Sequence, residues 1–257
     1  MAYATLTTDF GSQDYYAGAL KGALLRHCPD LHLVDITHAI SPYNIAQAAY
    51  VLGNAYTEFP EDTMHIIGVN CAYQEGFRFV AARRNGHYFI APDNGVLTLM
   101  FDGPWDQADV RNLGGSAGEH FAIKNVLPPA VGHLAAGLPW EALGTPTPLL
   151  LERIGLRPIV TPSGIRGTVM HVDHFDNAVL NIRRDAFERV VGARPFALYF
   201  KRHDPITRLS ANYCDAPVGD PLCLFNSAGY LEIAVNMGKA ATLLGLAVEE
   251  VVEVVVT

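Results

Sequence analysis

The sequence is poor in the features that mark several common protein classes. Its four cysteines, Cys28, Cys71, Cys214 and Cys223, form no C-x-x-C pair, so neither a disulfide framework nor a cysteine-bound zinc is expected. The ten histidines are scattered. The closest pair, His171 and His174, lies in a strand-like run where a spacing of three points the rings to opposite faces. No apolar run approaches the roughly 18 residues that a membrane span needs, and Met1-Ala2-Tyr3-Ala4-Thr5 offers no basic stretch ahead of an apolar one. Together with reduced cysteines, this leads us to expect a cytoplasmic protein with no membrane partner. Basic runs are missing too: 26 acidic against 18 basic side chains give a formal charge of −8. Without a Lys/Arg cluster there is no counterion release to hold the chain on phosphate backbones, so no nucleic-acid partner is expected.

Common nucleotide and hydrolase signatures are also lacking. There is no G-x-G-x-x-G, no G-x-x-x-x-G-K-[ST] and no G-x-S-x-G. Asp9-Phe10-Gly11 resembles the kinase triplet, but a kinase needs a glycine-rich loop and a lysine strand upstream of it, and only eight residues precede Asp9.

With 257 residues, half of them apolar and 17% charged, the chain can bury one large core or two modest ones. Tyr3 to Thr8 reads as a strand, Asp14 to Leu25 as a helix, Leu31 to Ile36 as a strand, Ile45 to Gly53 as a helix and Met64 to Val69 as a strand. Such alternation predicts an α/β domain with a mostly parallel sheet. Phe79 to Arg83 and His87 to Ala91 flank Asn85-Gly86, a strong hairpin signal that appends an antiparallel pair. Pro128 to Leu138 reads as a further helix. From Gly144 to Gly164 the texture turns Thr/Pro/Gly-rich, and beyond it come short strand-like runs at 167–172, 178–182, 196–200, 222–225, 230–235 and 248–256. The expected organisation is an α/β domain over 1–160 and an all-β, barrel-like domain over 161–257.

Asp9 falls at the carboxyl end of the first strand, where open α/β sheets bind small molecules. A carboxylate there can accept both hydroxyls of a ribose. It can equally well support the turn into the following helix, and the residues alone leave both readings open.

Five stretches, taken in order, carry a resemblance. They are Leu6-Thr7-Thr8-Asp9-Phe10-Gly11 with Asp14 and Lys21-Gly22; Asp35-Ile36-Thr37-His38 with Ile40 and Pro42; Ala91-Pro92-Asp93-Asn94-Gly95; Val172-Asp173-His174-Phe175 with Asn177 and Asn181-Ile182; and Asn226-Ser227-Ala228-Gly229-Tyr230-Leu231-Glu232-Ile233-Ala234-Val235-Asn236. In this order the chain resembles the S-adenosylmethionine hydroxide adenosyltransferases, relatives of the fluorinase and chlorinase. The resemblance implies a homotrimer with each nucleoside site between one subunit's N-terminal domain and a neighbour's C-terminal domain. It also implies that no cofactor or metal is needed, S-adenosylmethionine being substrate or ligand. By position, Asp9 is then expected to hold the ribose hydroxyls, Asp14 the methionine amine and Tyr43 the nucleoside face. Asp173, Phe175 and Asn177 would frame the adenine and amino-acid end, with Ser227 beside them.

The family's reaction is displacement at the ribose 5′ carbon by water or halide, with methionine leaving as a neutral thioether. Its water-using members employ an Asp, an Arg and a His, and the resemblance aligns these with Asn70, Phe77 and Ala122. An amide can orient water but cannot take its proton. Arg78, one residue on, and His120, two residues back, are the candidate replacements, with Lys124 a third; the opposing reading makes them ordinary surface residues. Two functions therefore stand side by side. One is a slow S-adenosylmethionine hydrolase using Asn70, His120 and Arg78; the other is a non-catalytic trimer that binds adenosine or S-adenosylmethionine. A halogenase ranks behind both, because Ile123 beside Ala122 supplies an apolar cage without a small hydroxyl donor.

Overall fold

The computed structural model describes residues 1–71, 77–115, 120–147 and 151–257. They fall into two compact units, Met1–Gly155 and Leu156–Thr257.

In the first unit the order is β1 (Tyr3–Thr8), α1 (Tyr16–His27), β2 (His32–Thr37), α2 (Ile45–Gly53), β3 (Met64–Gly68), β4 (Phe79–Arg84), β5 (His87–Pro92), α3 (Val96–Met100), β6 (Val110–Gly114), α4 (Ile123–Ala135) and β7 (Thr145–Pro146). The strands form one sheet in the order β2-β1-β3-β5-β4-β6-β7. Pairing is parallel from β2 through β5 and antiparallel from β5 to β7. Alternate strand residues feed two cores. Met64 and Ile66 of β3 join Leu20 and Leu24 of α1 and Leu127 and Val131 of α4, whereas Ile67 joins Ala48 and Leu52 of α2 and Val96 and Leu97 of α3. Burial on both faces is why these strands read as nearly continuous apolar runs. The expected hairpin closes through Asn85 and Gly86, both at positive φ (52° and 77°), the geometry a two-residue primed turn requires.

The sequence reading misplaces one helix. α4 starts at Ile123, not at Pro128, and ends at Ala135. Pro128 and Pro129 therefore lie inside it, each removing an N–H from the ladder. The helix tolerates them because Ile123, Leu127 and Val131 form one buried stripe against the residues of α1.

The second unit runs β8 (Ile159–Thr161), β9 (Gly164–Val172), β10 (Ala178–Arg183), α5 (Arg184–Val190), β11 (Phe196–Phe200), β12 (Pro221–Phe225), β13 (Tyr230–Val235), α6 (Ala240–Leu244) and β14 (Val251–Val256). Its antiparallel sheet has the order β11-β14-β9-β10-β13-β12, with β8 also pairing β9, and curls into a half-barrel. Two short helices not read from the sequence line its core through Phe187, Val190 and Leu244. They are too brief to show a helical period.

Near the amino end of β3, within the first sheet, His65 is fully buried. Its Nδ1 lies 2.8 Å from Thr5 Oγ1 and its Nε2 3.2 Å from His87 Nδ1. Desolvation, reinforced by the charge of His87, pushes the His65 imidazole down to about 3; burial also lowers His87, against the pull of Glu61 and Asp62. The unfolded chain binds these protons near the ordinary value of 6.5. Stability is thus fully present above that value and falls as pH drops from it toward 3, by up to about 1.4 kcal/mol per pH unit for each proton. Denaturant midpoints measured from pH 7 to pH 4 are expected to fall more steeply for the wild type than for His65→Gln. Equal slopes would contradict this account.

Candidate functional site

In the first sheet β1 leads by one crossover to β2 on one side and β2 by the next to β3 on the other. That reversal of strand order opens a crevice at the carboxyl ends of β1 and β3, the place where open α/β sheets take ligands. Asp9 stands there, directly after β1, with its backbone N–H on Gly68 O at 3.3 Å. Its Oδ2 accepts the backbone N–H of Tyr43 at 3.0 Å and of Asn70 at 3.1 Å. Both donors sit in the left-handed region, Tyr43 at φ 68° and Asn70 at φ 50°. For a tyrosine that conformation costs about 1–3 kcal/mol and persists only where its surroundings impose it. Among the described residues no donor reaches Oδ1.

The neighbouring loops are fastened by side chains. Asn94, nearly fully buried, donates through Nδ2 to Val69 O at 2.9 Å and Asn70 O at 3.2 Å, while its Oδ1 accepts from Val96 N. Thr8 Oγ1 lies 2.8 Å from His38 Nδ1, and His38 Nε2 lies 3.1 Å from Asp35 Oδ1, off the hydrogen-bond axis. Lys21 Nζ reaches Asp35 Oδ2 at 2.6 Å. Burial works against the charged form of Asp35, yet the Lys21 hydrogen bond and the His38 charge hold its carboxyl below the usual range.

The candidate catalytic residues occupy different settings. Asn70 lies at the crevice. Arg78 is engaged elsewhere, with Nε and Nη2 on Asp93 Oδ2 at 2.8 and 2.7 Å and Nη1 on Thr147 Oγ1 at 3.0 Å; Asp93 also accepts Leu151 N at 2.7 Å. This makes Arg78 part of a pair that braces the turn after β5. His120 is exposed in the turn before α4, next to residues outside the described set, and Lys124 is half-buried in the first turn of α4. Phe77 and Ala122 belong to one apolar cluster with Phe10, Cys71 and Phe121. Gly68 allows this convergence, because a Cβ there would lie 3.0 Å from Ile123 Cδ1 and 3.1 Å from Phe10 Cζ. Desolvation and, secondly, the Asp9 charge push the Cys71 thiol up, so it stays neutral at physiological pH. Asp14 is exposed in the turn ahead of α1, and Tyr43 is 73% exposed.

The second unit holds its own polar cluster. Asp173 follows β9 and takes Asn177 N on Oδ1 at 2.8 Å and Asn177 Nδ2 on Oδ2 at 3.1 Å. Phe175, at the tip of this turn, is 74% exposed. Ser227 is exposed in the turn between β12 and β13, which Asn226 Oδ1 shapes by accepting Ala228 N and Tyr230 N. The sequence reading gave no role to the residue behind this turn, Glu232. It is almost completely buried and accepts Tyr213 Oη at 3.0 Å and Asn226 Nδ2 at 3.2 Å. Burial raises the Glu232 carboxyl despite these two donors, and burial with the Glu232 charge pushes the Tyr213 phenol up to about 12. The signal was present in the Asn226 to Glu232 run, but a carboxylate on an alternating strand reads as solvent-facing.

Comparison with known proteins bears on both units. Residues 4–144 match the model of the SAM hydroxide adenosyltransferase N-terminal domain, and residues 167–253 match that of the C-terminal domain. An (R)-S-adenosyl-L-methionine hydrolase of Thermus thermophilus is 32% identical over 93% of this chain and 94% of its own. A fluorinase of Actinopolyspora mzabensis is 26% identical over 91% and 90%. Among solved structures, an uncharacterized conserved protein from Thermotoga maritima superposes with a TM-score of 0.85 at 28% identity, covering 98% of this chain and 99% of that one.

Proposed function

The chain belongs to the SAM hydroxide adenosyltransferase family, and on that premise we propose that it binds S-adenosylmethionine and hydrolyses it slowly to adenosine and methionine. The observation that carries the reading is Asp9. Its Oδ2 is saturated by two backbone N–H groups from residues in left-handed backbone, while Oδ1 is left as an acceptor at the crevice. Strain of this kind concentrates at binding sites, and a carboxylate oxygen with both acceptor positions open suits the paired hydroxyls of a ribose.

In the reaction, water attacks the ribose 5′ carbon opposite sulfur, the C–S bond breaks with its electron pair going to sulfur, and one proton is released as adenosine and neutral methionine form. Positive charge disappears from sulfur along this path, so an apolar wall favours the transition state over the charged substrate. We assign that wall to Phe10, Phe77 and Ala122, which pack in one apolar cluster that begins directly after Asp9. Holding the ribose on Asp9 fixes the 5′ carbon, and orientation then carries much of the acceleration. Asn70 can orient the water but cannot accept its proton. The engagement of Arg78 with Asp93 and the exposure of His120 leave general-base help weak. That weakness in general-base help favours the second reading, a binding protein that retains the nucleoside without turnover. We place Asp14, Asp173, Asn177 and Ser227 at the amino-acid and adenine ends of the ligand, with Tyr43 and Phe175 against its flat faces. The assembly we propose is a homotrimer whose subunits share each site. Its support is that each unit carries a polar cluster beside an exposed aromatic ring, Tyr43 in one and Phe175 in the other.

Three outcomes are expected. Asp9→Ala should weaken adenosine binding at least about 30-fold in calorimetry, since two hydroxyls lose a charged partner at about 1 kcal/mol or more each; unchanged affinity would remove Asp9 from the site. Asn70→Asp with Phe77→Arg and Ala122→His should raise adenosine release from S-adenosylmethionine, followed by chromatography, by about 10²-fold or more. A wild-type rate of about 1 per second or faster would show that the chain already has an efficient base. Light scattering should report three copies, and a stable monomer that binds adenosine would contradict the shared site.

A further inference from the structure

One side-chain chain near the crevice has no part in the chemistry above. It runs from Lys21 through Asp35 and His38 to Thr8, the residue directly before Asp9. Asp35 approaches Nε2 of His38, so in the neutral ring the proton is favoured on Nε2 and Nδ1 is the acceptor. Thr8 Oγ1 then donates its proton to His38 Nδ1 at 2.8 Å and accepts the backbone N–H of Phe10 at 3.4 Å. Two main-chain bonds run alongside: Gly11 N donates to His38 O at 2.8 Å and Ile40 N to Thr8 O at 3.3 Å. The segment at His38 therefore grips the chain on both sides of Asp9, and the Thr8 hydroxyl joins the residue before Asp9 to the residue after it.

We propose that His38 is a positioning residue for the ribose: through its Nδ1 contact with the buried Thr8 hydroxyl it fixes the backbone that aims Asp9 Oδ1 into the crevice. This rests on the reading of Asp9 as the ribose ligand. The Thr8 side chain is inaccessible to solvent, so in the intact chain its hydroxyl relies on the imidazole and not on water as its acceptor. Without the imidazole the hydroxyl loses this fixed acceptor, and the turn carrying Asp9 is free to shift with it. A displacement of even 1 Å is enough to misplace a contact of this kind. The Asp35 and Lys21 end of the chain is more exposed and serves to hold the tautomer.

The test compares adenosine with 2′,3′-dideoxyadenosine, which lacks both ribose hydroxyls, using calorimetry on the full chain. The wild type is expected to prefer adenosine by about 10-fold or more. His38→Ala should reduce that preference to less than about threefold while leaving the affinity for the dideoxynucleoside unchanged, a pattern that general loosening of the fold would not produce. His38→Asn, whose amide oxygen can accept at the Nδ1 position, should restore most of the preference, whereas His38→Gln, which reaches the Nε2 position instead, should not. Thr8→Val removes the hydroxyl from the other end with little change of shape, and it should reproduce His38→Ala; it carries the test if His38→Ala does not fold. A wild type that binds both nucleosides equally overturns the Asp9 reading and this inference with it. A wild type that discriminates, beside a Thr8→Val or His38→Ala variant that discriminates equally well, overturns the role of His38 alone.

Discussion

A single carboxylate oxygen holds together the loops at the carboxyl edge of the first sheet. Asp9 Oδ2 gathers N–H groups from the loop after β2 and the loop after β3, which leave the sheet on opposite sides of β1. Both donor residues have a left-handed backbone. For Asn70 that is inexpensive, because a short amide side chain tolerates this region; for Tyr43 it is not. The strain is offset by two charge-assisted hydrogen bonds, of a kind worth about 1.5–3 kcal/mol each. The two loops are thus tied at the edge of the sheet by a carboxylate with half of its acceptor capacity already spent.

Around that ion the surroundings divide sharply. On the side of β2 the groups are polar and linked in series, from Thr8 to Lys21. Toward α4 they are apolar, with Phe10, Phe77, Phe121 and Ala122 in one cluster. A bound sulfonium nucleoside would have its sugar fixed by the polar side and its reacting carbon near the apolar side. On the proposed reading such a site would orient its ligand well and activate water poorly, which is why we expect binding to outlast turnover in this chain.

Much of this was legible in the sequence. The alternation of strands and helices gave the parallel half of the first sheet, and Asn85-Gly86 marked the hairpin. The position of Asp9 at a strand end was enough to raise it as a ligand. Other features were hidden for physical reasons. Pro128 and Pro129 obscured α4 because local propensity argues for a boundary where tertiary burial of Ile123, Leu127 and Val131 prevails. β6 was missed because Arg111, a buried cation over the Trp140 ring, breaks the expected pattern. At the site, the donors to Asp9 are main-chain groups, and nothing in the identity of Tyr43 announces a positive φ. Glu232 and His38 lie within the stretches that carry the resemblance, yet a lone polar residue shows its partner only when the chain is folded.

The central claim is that Asp9 Oδ1, left open by the two backbone donors on Oδ2, is the acceptor for a ribose. The most direct measurement is a crystal structure of the full chain grown with adenosine. The account predicts density for the sugar at the carboxyl ends of β1 and β3, with its 2′ and 3′ oxygens within hydrogen-bond distance of Asp9 Oδ1 and the Tyr43 and Asn70 N–H groups still on Oδ2. A nucleoside bound elsewhere, or one whose hydroxyls face away from Asp9, would contradict it.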